Sequence, residues 1–360
     1  MAQALSGEFL FKVVAGQTRD KKGLGDNSPD WQHDEFGMVR HCTSSLPGAA
    51  GLRHILKSTP HHLLLLNGFF DREFTLPALV MRRAGVVPHC PAILSPRGEF
   101  SPGALSVKSR RKRLFIQFVN RFDLLRNVWL HATAPHERRD IAMSGLKCRG
   151  IAEAPGNRQL QPPPSLTETG SFEKAGAGLR IVFVGKITPM KNLHFALTVL
   201  NHVRCSVEFD VYGPIGDLGY WKSCKRIIAK LPGNISVRHR GVIANDQVTD
   251  MIASCDLLFL PTLGENFGHA IHEALASGVP VLISDRTPWR ELEANGAGWD
   301  LPLGDPSSFA EKITMFAALN KAERRRLKAG ARRLAEKKHE QDDAAAQTKA
   351  MLLRIMAADR

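Results

Sequence analysis

No two cysteines of this chain stand in C-x-x-C spacing. The six, Cys42, Cys90, Cys148, Cys205, Cys224 and Cys255, are widely scattered. Neither a zinc site nor a disulfide framework is indicated, and such usage suits a reducing compartment and so a cytoplasmic protein. No apolar run approaches the roughly 20 residues of a membrane-spanning helix. Met1 to Gly7 do not read as a secretory leader. Gly23-Leu24-Gly25 lacks the third glycine of a dinucleotide fingerprint and reads as a turn. No D-x-D occurs, no internal repeat is evident and no segment is low in complexity. Acidic residues are in short supply, 35 against 49 lysines and arginines, for a formal net charge of +14. That excess points to an anionic partner: nucleic acid, anionic lipid or a sugar nucleotide. The densest basic run, Lys108, Arg110, Arg111, Lys112 and Arg113, carries no recognisable nucleic-acid motif and no stacking aromatics, so nucleic acid is not expected.

With 360 residues and 43% hydrophobic content, the chain suits two domains, each with its own core. Apolar runs read as strands at Glu8 to Ala15, His62 to Leu66, Pro91 to Leu94 and Trp129 to Thr133. Between them Leu52 to Lys57, Phe74 to Ala84, Gly103 to Asn127 and Pro135 to Met143 read as helices. Gln17 to Pro47, polar and turn-rich, reads as a long loop. Pro155 to Gly178, with Pro162-Pro163-Pro164, reads as a linker. The pattern then restarts. Strands fall at Leu179 to Val184, Val207 to Tyr212, Ile235 to His239, Leu257 to Leu260 and Val279 to Ser284. Helices fall at Asn192 to Val203, Leu218 to Leu231, Asp246 to Ala253 and Trp289 to Ala294, with a helical tail from Ala322 to Met356. Strands alternating with helices form a parallel sheet wrapped by helices, here twice. The expected division is residues 1–154, a linker at 155–178, a second domain at 179–335, and a C-terminal helix at 336–360.

One stretch organises the chain, Gly264-Glu265-Asn266-Phe267-Gly268-His269-Ala270-Ile271-His272-Glu273-Ala274-Leu275-Ala276-Ser277-Gly278. It lies between two apolar runs and reads as strand, glycine loop, helix, strand. Gly264 and Gly268 permit a tight backbone and a close ligand. The helix opens near Phe267 or Gly268, so its first N–H groups form a site for a phosphate. His269 and Glu273 are four apart and share a face; Ile271, Leu275 and Gly278 fall on another, assigned to the core. Two carboxylates beside an anion site suit a ligand with hydroxyls next to its phosphates, such as ribose or a hexose.

This string resembles the E-x7-E signature of retaining glycosyltransferases of family 4. Leu179 to Leu193, a strand ending at Gly185 followed by Lys186 and Lys191, resembles the same family's G-R-x-x-x-x-K element. Tyr212-Gly213-Pro214, Tyr220-Trp221 and Ser284 to Arg290 resemble a bacterial branch of it. The resemblance implies the GT-B fold: two Rossmann-like, doubly wound α/β domains facing a cleft. It implies transfer of a hexose-type sugar from a UDP- or GDP-linked donor to a hydroxyl of a glycan or lipid-linked acceptor. Retention of configuration and a setting in lipopolysaccharide or exopolysaccharide synthesis follow from the same resemblance. The protein would sit in the cytoplasm or peripherally on the inner face of the plasma membrane, with the basic run against an anionic bilayer.

Residue by residue, the resemblance gives Glu265, Lys186 and Lys191 the catalytic roles. A departing nucleoside diphosphate builds negative charge that fixed cations or a metal must stabilise. With no D-x-D, Lys186, Lys191 and the helix end supply it, so neither metal nor cofactor is expected. Lysine stands at 186 where the family has arginine, keeping the charge but losing the bidentate fork. Glu273 matches the glutamate that holds the ribose hydroxyls. Gly185, Asn266, Phe267, Gly268 and His269 line the donor, and Arg240 and Val242 frame its base. On the acceptor side Asn67, Arg97, Glu99 and His131 follow strands, at the edge where α/β sheets bind ligands. Asn67 stands where the family often has histidine. The chain opens at the family's second strand, so roughly one strand–helix unit, with its glycine-rich loop, is missing from the expected pattern. Two further readings stay open, a catalytically impaired paralogue or nucleotide-sugar-binding protein, and a nucleic-acid binder favoured by charge alone.

Overall fold

The computed structural model describes residues 5–16, 31–34, 37–42, 49–106, 109–155, 178–340 and 344–358. Lys108 and nearly all of the expected linker lie outside them. The chain divides into two compact units, one comprising Met1–Gln159 with Asp343–Arg360, the other Leu160–Asp342.

The first unit runs β1 (Phe11–Gly16), β2 (Gln32–Asp34), β3 (Gly37–Cys42), α1 (Ala49–Ser58), β4 (Leu64–Asn67), α2 (Thr75–Arg83), β5 (Ala92–Ser95), α3 (Pro102–Ser106), α4 (Ser109–Arg121), β6 (Val128–Ala132), α5 (Pro135–Met143) and β7 (Gly150–Glu153). Strands β4, β5, β6 and β7 form a parallel sheet in that order, while β1, β3 and β2 form a separate sheet. The region read as one loop, 17–47, therefore contributes two strands, with β1 and β3 parallel and β2 antiparallel to β3. The long helix expected from Gly103 to Asn127 is two helices, and it stops at Arg121, after which Asp123 takes a left-handed φ of 51°. The core is aromatic: Phe69 meets Phe70 and Phe100 at 4.9 Å and Phe115 at 5.4 Å between ring centroids. Each fully buried ring of this kind contributes about 1.5–3 kcal/mol.

The second unit runs β8 (Leu179–Val184), α6 (Leu193–Leu200), β9 (Val207–Tyr212), α7 (Leu218–Ile228), β10 (Ile235–Gly241), α8 (Val248–Ala253), β11 (Leu257–Leu260), α9 (His269–Ala276), β12 (Val281–Ser284), β13 (Gly298–Leu301), α10 (Pro306–Ala318) and α11 (Lys321–Glu340). Its sheet has the order β10-β9-β8-β11-β12-β13, and every pair is parallel. Numbered from its own first strand, this is the order 3-2-1-4-5-6 of a doubly wound dinucleotide-type fold. Strands β8, β11 and β12 are covered on both faces, so they read as unbroken apolar runs.

Two corrections concern the C-terminal part. Trp289 to Ala294 is not a helix. Asp300 on β13 captures that segment through Arg290 Nε at 3.2 Å and the Leu292 N–H at 2.9 Å, and Glu291 is left-handed at φ 57°. The tail is not one helix but α11 followed by α12 (Ala344–Ala357). Helix α11 belongs to the second unit and α12 to the first. Met351, Leu352 and Ile355 of α12 bury against Leu5, Ile93 and Ala152, and Lys349 pairs with Glu8.

Candidate functional site

The order of the second sheet reverses between β8 and β11. Loops leaving the carboxyl ends of those two strands border the edge at which such sheets bind ligands. The loop after β8 carries Gly185, Lys186 and Lys191; the loop after β11 carries Glu265 to Gly268.

The β8 loop is held by its backbone. The Gly185 N–H donates to Tyr212 O at 2.9 Å and the Gly213 N–H to Gly241 O at 2.7 Å. Gly213 has φ 140°, and a Cβ on it would stand 2.1 Å from Gly185 O, so only glycine lets the ends of β8 and β9 come this close. Ile187 bridges to Ile215, Pro189–Lys191 make one tight turn, and Asn192 at φ 58° turns the chain into α6. Lys186 is exposed, its stem laid over Gly216, where a Cβ would come within 2.5 Å of Lys186 Cε. The stem of Lys191 lies over Gly185, within ordinary contact distance.

The β11 loop is stitched on both sides. Toward the β8 loop, Thr262 Oγ1 donates to Met190 O at 3.0 Å and the Leu263 N–H to the same oxygen at 2.8 Å. Toward β12, Ser284 Oγ donates to Thr262 O at 2.5 Å and the Glu265 N–H to Arg286 O at 3.1 Å. The result is a direct ion pair from Lys191 Nζ to Glu265 Oε1, the lysine side chain 26% and the glutamate 11% exposed. Gly268 caps α9 at φ 80°, and a Cβ on it would strike Ile271 at 2.8 Å. Trp289 Nε1 donates to Phe267 O at 2.5 Å, holding that corner. Ser284, Thr287 and Trp289 of the Ser284 to Arg290 string are buried and pack, while Arg286 and Arg290 are exposed. Asn266 and His269 sit at the mouth of α9 and Glu273 one turn further on, half-buried. Ile271 and Leu275 are fully buried.

Gly185, Lys186, Lys191, Glu265, Asn266, Phe267, Gly268, His269 and Glu273 thus gather on these two loops and the first turns of α9. Arg240 and Val242 lie two strands away, at the end of β10. The Arg240 guanidinium is bound at 3.0 Å to Asp210, which also takes Arg238 at 3.0 Å. Val242 is 70% exposed. Asp210 and Glu208 were not foreseen, although Glu208-x-Asp210 facing Arg238-x-Arg240 on the neighbouring strand is a legible cross-strand charge pattern.

In the first unit the four acceptor-side candidates separate into two kinds. Asn67 and Arg97 are exposed at the carboxyl ends of β4 and β5, and Arg97 Nη2 donates to Asn67 Oδ1 at 3.2 Å. Arg97 is left-handed, φ 56°. His131 is fully buried between Ser95 Oγ at 2.9 Å and Ala154 O at 2.8 Å, and burial pushes its pKa down. Its two ring nitrogens are both engaged within the first unit. Glu99 is likewise committed to the scaffold, accepting the N–H groups of Phe69 and Phe70, and burial pushes its carboxyl up. The residue missed is Glu137, buried at the start of α5. It accepts the Gly98 N–H at 2.6 Å, the Thr133 N–H at 2.7 Å and Thr133 Oγ1 at 2.6 Å. A glutamate in the first turn after Pro135 was the available signal.

Comparison with known proteins agrees with this geometry. Residues 168–334 match the family model described as glycosyl transferases group 1, so the family likeness lies in the second unit. WcaL of Escherichia coli K12, named as a colanic acid biosynthesis glycosyltransferase, is 26% identical over 150 residues, 39% of this chain and 37% of its own length. The chain spans about a third of the length of the curated relatives it matches. The sucrose-phosphate synthase structure from Thermosynechococcus elongatus superimposes with a TM-score of 0.76 at 15% identity, covering 99% of this chain and 92% of that one. Anabaena HepE, in complex with UDP and glucose, superimposes with a TM-score of 0.68 at 16% identity over 90% and 87%. At these identities the likeness is one of fold, and the fold is GT-B, with two Rossmann-like units.

Proposed function

We propose that this protein is a retaining glycosyltransferase of family 4, of the bacterial branch, acting on a nucleotide-diphosphate sugar. The observation that carries the reading is the Lys191–Glu265 pair at the switch point of a 3-2-1-4-5-6 sheet, with Lys186 and the start of α9 beside it. An ammonium has three N–H donors. Glu265 takes one and fixes the side chain, leaving the others for a diphosphate. Lys186 and the first-turn N–H groups of α9 add positive potential on the same edge. Together they stabilise charge on the departing nucleoside diphosphate. Glu273 accepts from the ribose hydroxyls, and Arg240 and Val242 border the base.

The donor is a UDP- or GDP-linked hexose and needs no metal or cofactor. The acceptor is a hydroxyl of a glycan or lipid-linked glycan, for which Asn67 and Arg97 of the first unit are the exposed candidate contacts. The named role of WcaL in colanic acid biosynthesis supports a polysaccharide setting. In retention by front-face attack, the bond from sugar carbon to phosphate oxygen breaks as the acceptor oxygen bonds to that carbon. The leaving phosphate oxygen receives the acceptor's proton. No enzymic base is demanded, in keeping with His131 and Glu99 being committed to the scaffold. Asn67, standing where the family often has histidine, favours a second reading, a nucleotide-sugar-binding protein without transferase activity.

One assay separates the two. The purified chain is incubated with UDP- and GDP-hexoses, with and without chelator, and the released sugar or product is examined by NMR. The reading requires turnover indifferent to chelator and a product of unchanged anomeric configuration. Inversion, or a chelator block reversed by magnesium, refutes the mechanism. Tight donor binding without turnover establishes the second reading instead.

A further inference from the structure

We infer that the outer face of α4 is a docking surface for an anionic lipid bilayer, with Leu114, Phe118 and Phe122 entering the hydrocarbon boundary. This does not rest on the catalytic reading. Helix α4 has a clear inner side. Val119 is buried, Phe115 and Ile116 pack against the core, and Lys112 turns inward, its Nζ 2.7 Å from Ala104 O and 4.9 Å from the centre of the Phe70 ring. Lys112 is therefore no part of the surface.

Beside that inner side runs a stripe at i, i+4 and i+8, the last just past the end of α4: Leu114 is 65% exposed, Phe118 41% and Phe122 54%. The two rings stand against each other at 4.8 Å between centroids, forming one ridge. Arg110, Arg111, Arg113 and Arg121 are exposed around it, and Ser109–Arg121 contains no acidic residue. A soluble helix face ordinarily mixes both signs of charge and keeps large apolar groups inward. This one offers an apolar ridge flanked by four arginines, with Asp123, next to its last ring, the nearest acidic residue in sequence, the pattern of a helix lying in the plane of a membrane interface. Arginine stems reach past an apolar body to headgroup phosphates, and the phosphates lie just outside the hydrocarbon that the ridge enters. The helix has 13 residues, and among the described residues none is long and apolar enough to span a bilayer.

Co-sedimentation of the full chain with vesicles tests the assignment, using phosphatidylcholine alone or with 30% phosphatidylglycerol. Two variants accompany wild type, Leu114→Ser/Phe118→Ser/Phe122→Ser and Arg110→Gln/Arg111→Gln/Arg113→Gln/Arg121→Gln. All the changed side chains are exposed, and unaltered circular dichroism and melting confirm folding. Wild type is expected to bind the anionic vesicles at least tenfold more tightly than neutral ones, and to release in half-molar salt. Each variant is expected to lose at least tenfold while keeping its thermal shift with nucleoside diphosphate. Equal sedimentation with both vesicles, or an apolar variant that binds like wild type, overturns the proposal. Binding of single-stranded RNA that is lost in the arginine variant and kept in the apolar one would reassign the face to nucleic acid.

Discussion

Lys191 and Glu265 are 74 positions apart in the chain and meet because two loops leave adjacent strands at the point where strand order reverses. Removing either partner has separable effects. Lys191→Ala leaves a carboxylate only 11% exposed without its cation. A loss of about 1–3 kcal/mol in urea-melt stability is expected, together with weakened nucleoside diphosphate binding. Glu265→Gln keeps a polar group near the ammonium; kinetics should show turnover lowered more than donor affinity. If both variants lose only affinity, Glu265 has no part in the chemical step. His131 gives a pH-dependent case. Burial holds its imidazole below the ordinary value of 6.5, so below that pH the unfolded chain takes up a proton that the folded chain refuses. The stability that His131 supplies is whole above 6.5 and is lost progressively below it, as pH falls toward the ring's depressed folded value. His61 is shifted the other way, but it is common to wild type and variant and cancels in the difference. His131→Asn should cost about 1–3 kcal/mol near pH 8, and the gap between melts should shrink toward pH 5.5. A constant gap would mean that the ring is not held neutral.

At the scale of elements, most strands of the two larger parallel sheets and the E-x7-E loop were legible, because buried parallel strands are unbroken apolar runs and glycine marks turns; β2 and β3, in a polar stretch, were not. Strand β13 was not, since it opens at Gly298, where a Cβ would stand 2.0 Å from Val281 O. A glycine chosen for close approach of two backbones leaves no hydrophobic pattern to read. Strand β7 opens at Gly150 for a like reason, the ring of Trp129 lying 2.6 Å from where its Cβ would be. The segment after Pro288 looked helical but is captured by Asp300, a tertiary contact that propensity does not contain. His131 and Glu99 looked like site residues because they follow strands; only their burial and partners separate scaffold from surface. The same distinction makes Gly268 a critical position. Gly268→Ala forces φ 80° on an L-residue and strikes Ile271, and should cost about 1–3 kcal/mol while misplacing the first turn of α9. Gly304→Ala, facing open space, is the control. Calorimetric melts and nucleotide titration of both check this; equal behaviour would show that the α9 corner tolerates a side chain.

For the whole molecule, the alternation of strands and helices implied two parallel α/β units, and the structure has them. The return of α12 to the first unit was not readable, because nothing local to Ala344–Ala357 says which core its apolar side joins. Met351, Leu352 and Ile355 find Ile93 and Ala152 only through the fold. Binding of a nucleoside diphosphate at the reversal of the second sheet is the claim on which the rest depends. Isothermal titration of UDP and GDP into wild type, Lys186→Ala/Lys191→Ala and Glu273→Ala, in chelator, tests it most directly. The account predicts 1:1 binding of one nucleotide to wild type, a loss of about 1–3 kcal/mol in Glu273→Ala, and no measurable binding in the double lysine variant. Wild type that binds neither nucleotide, or a double variant that binds like wild type, would contradict it.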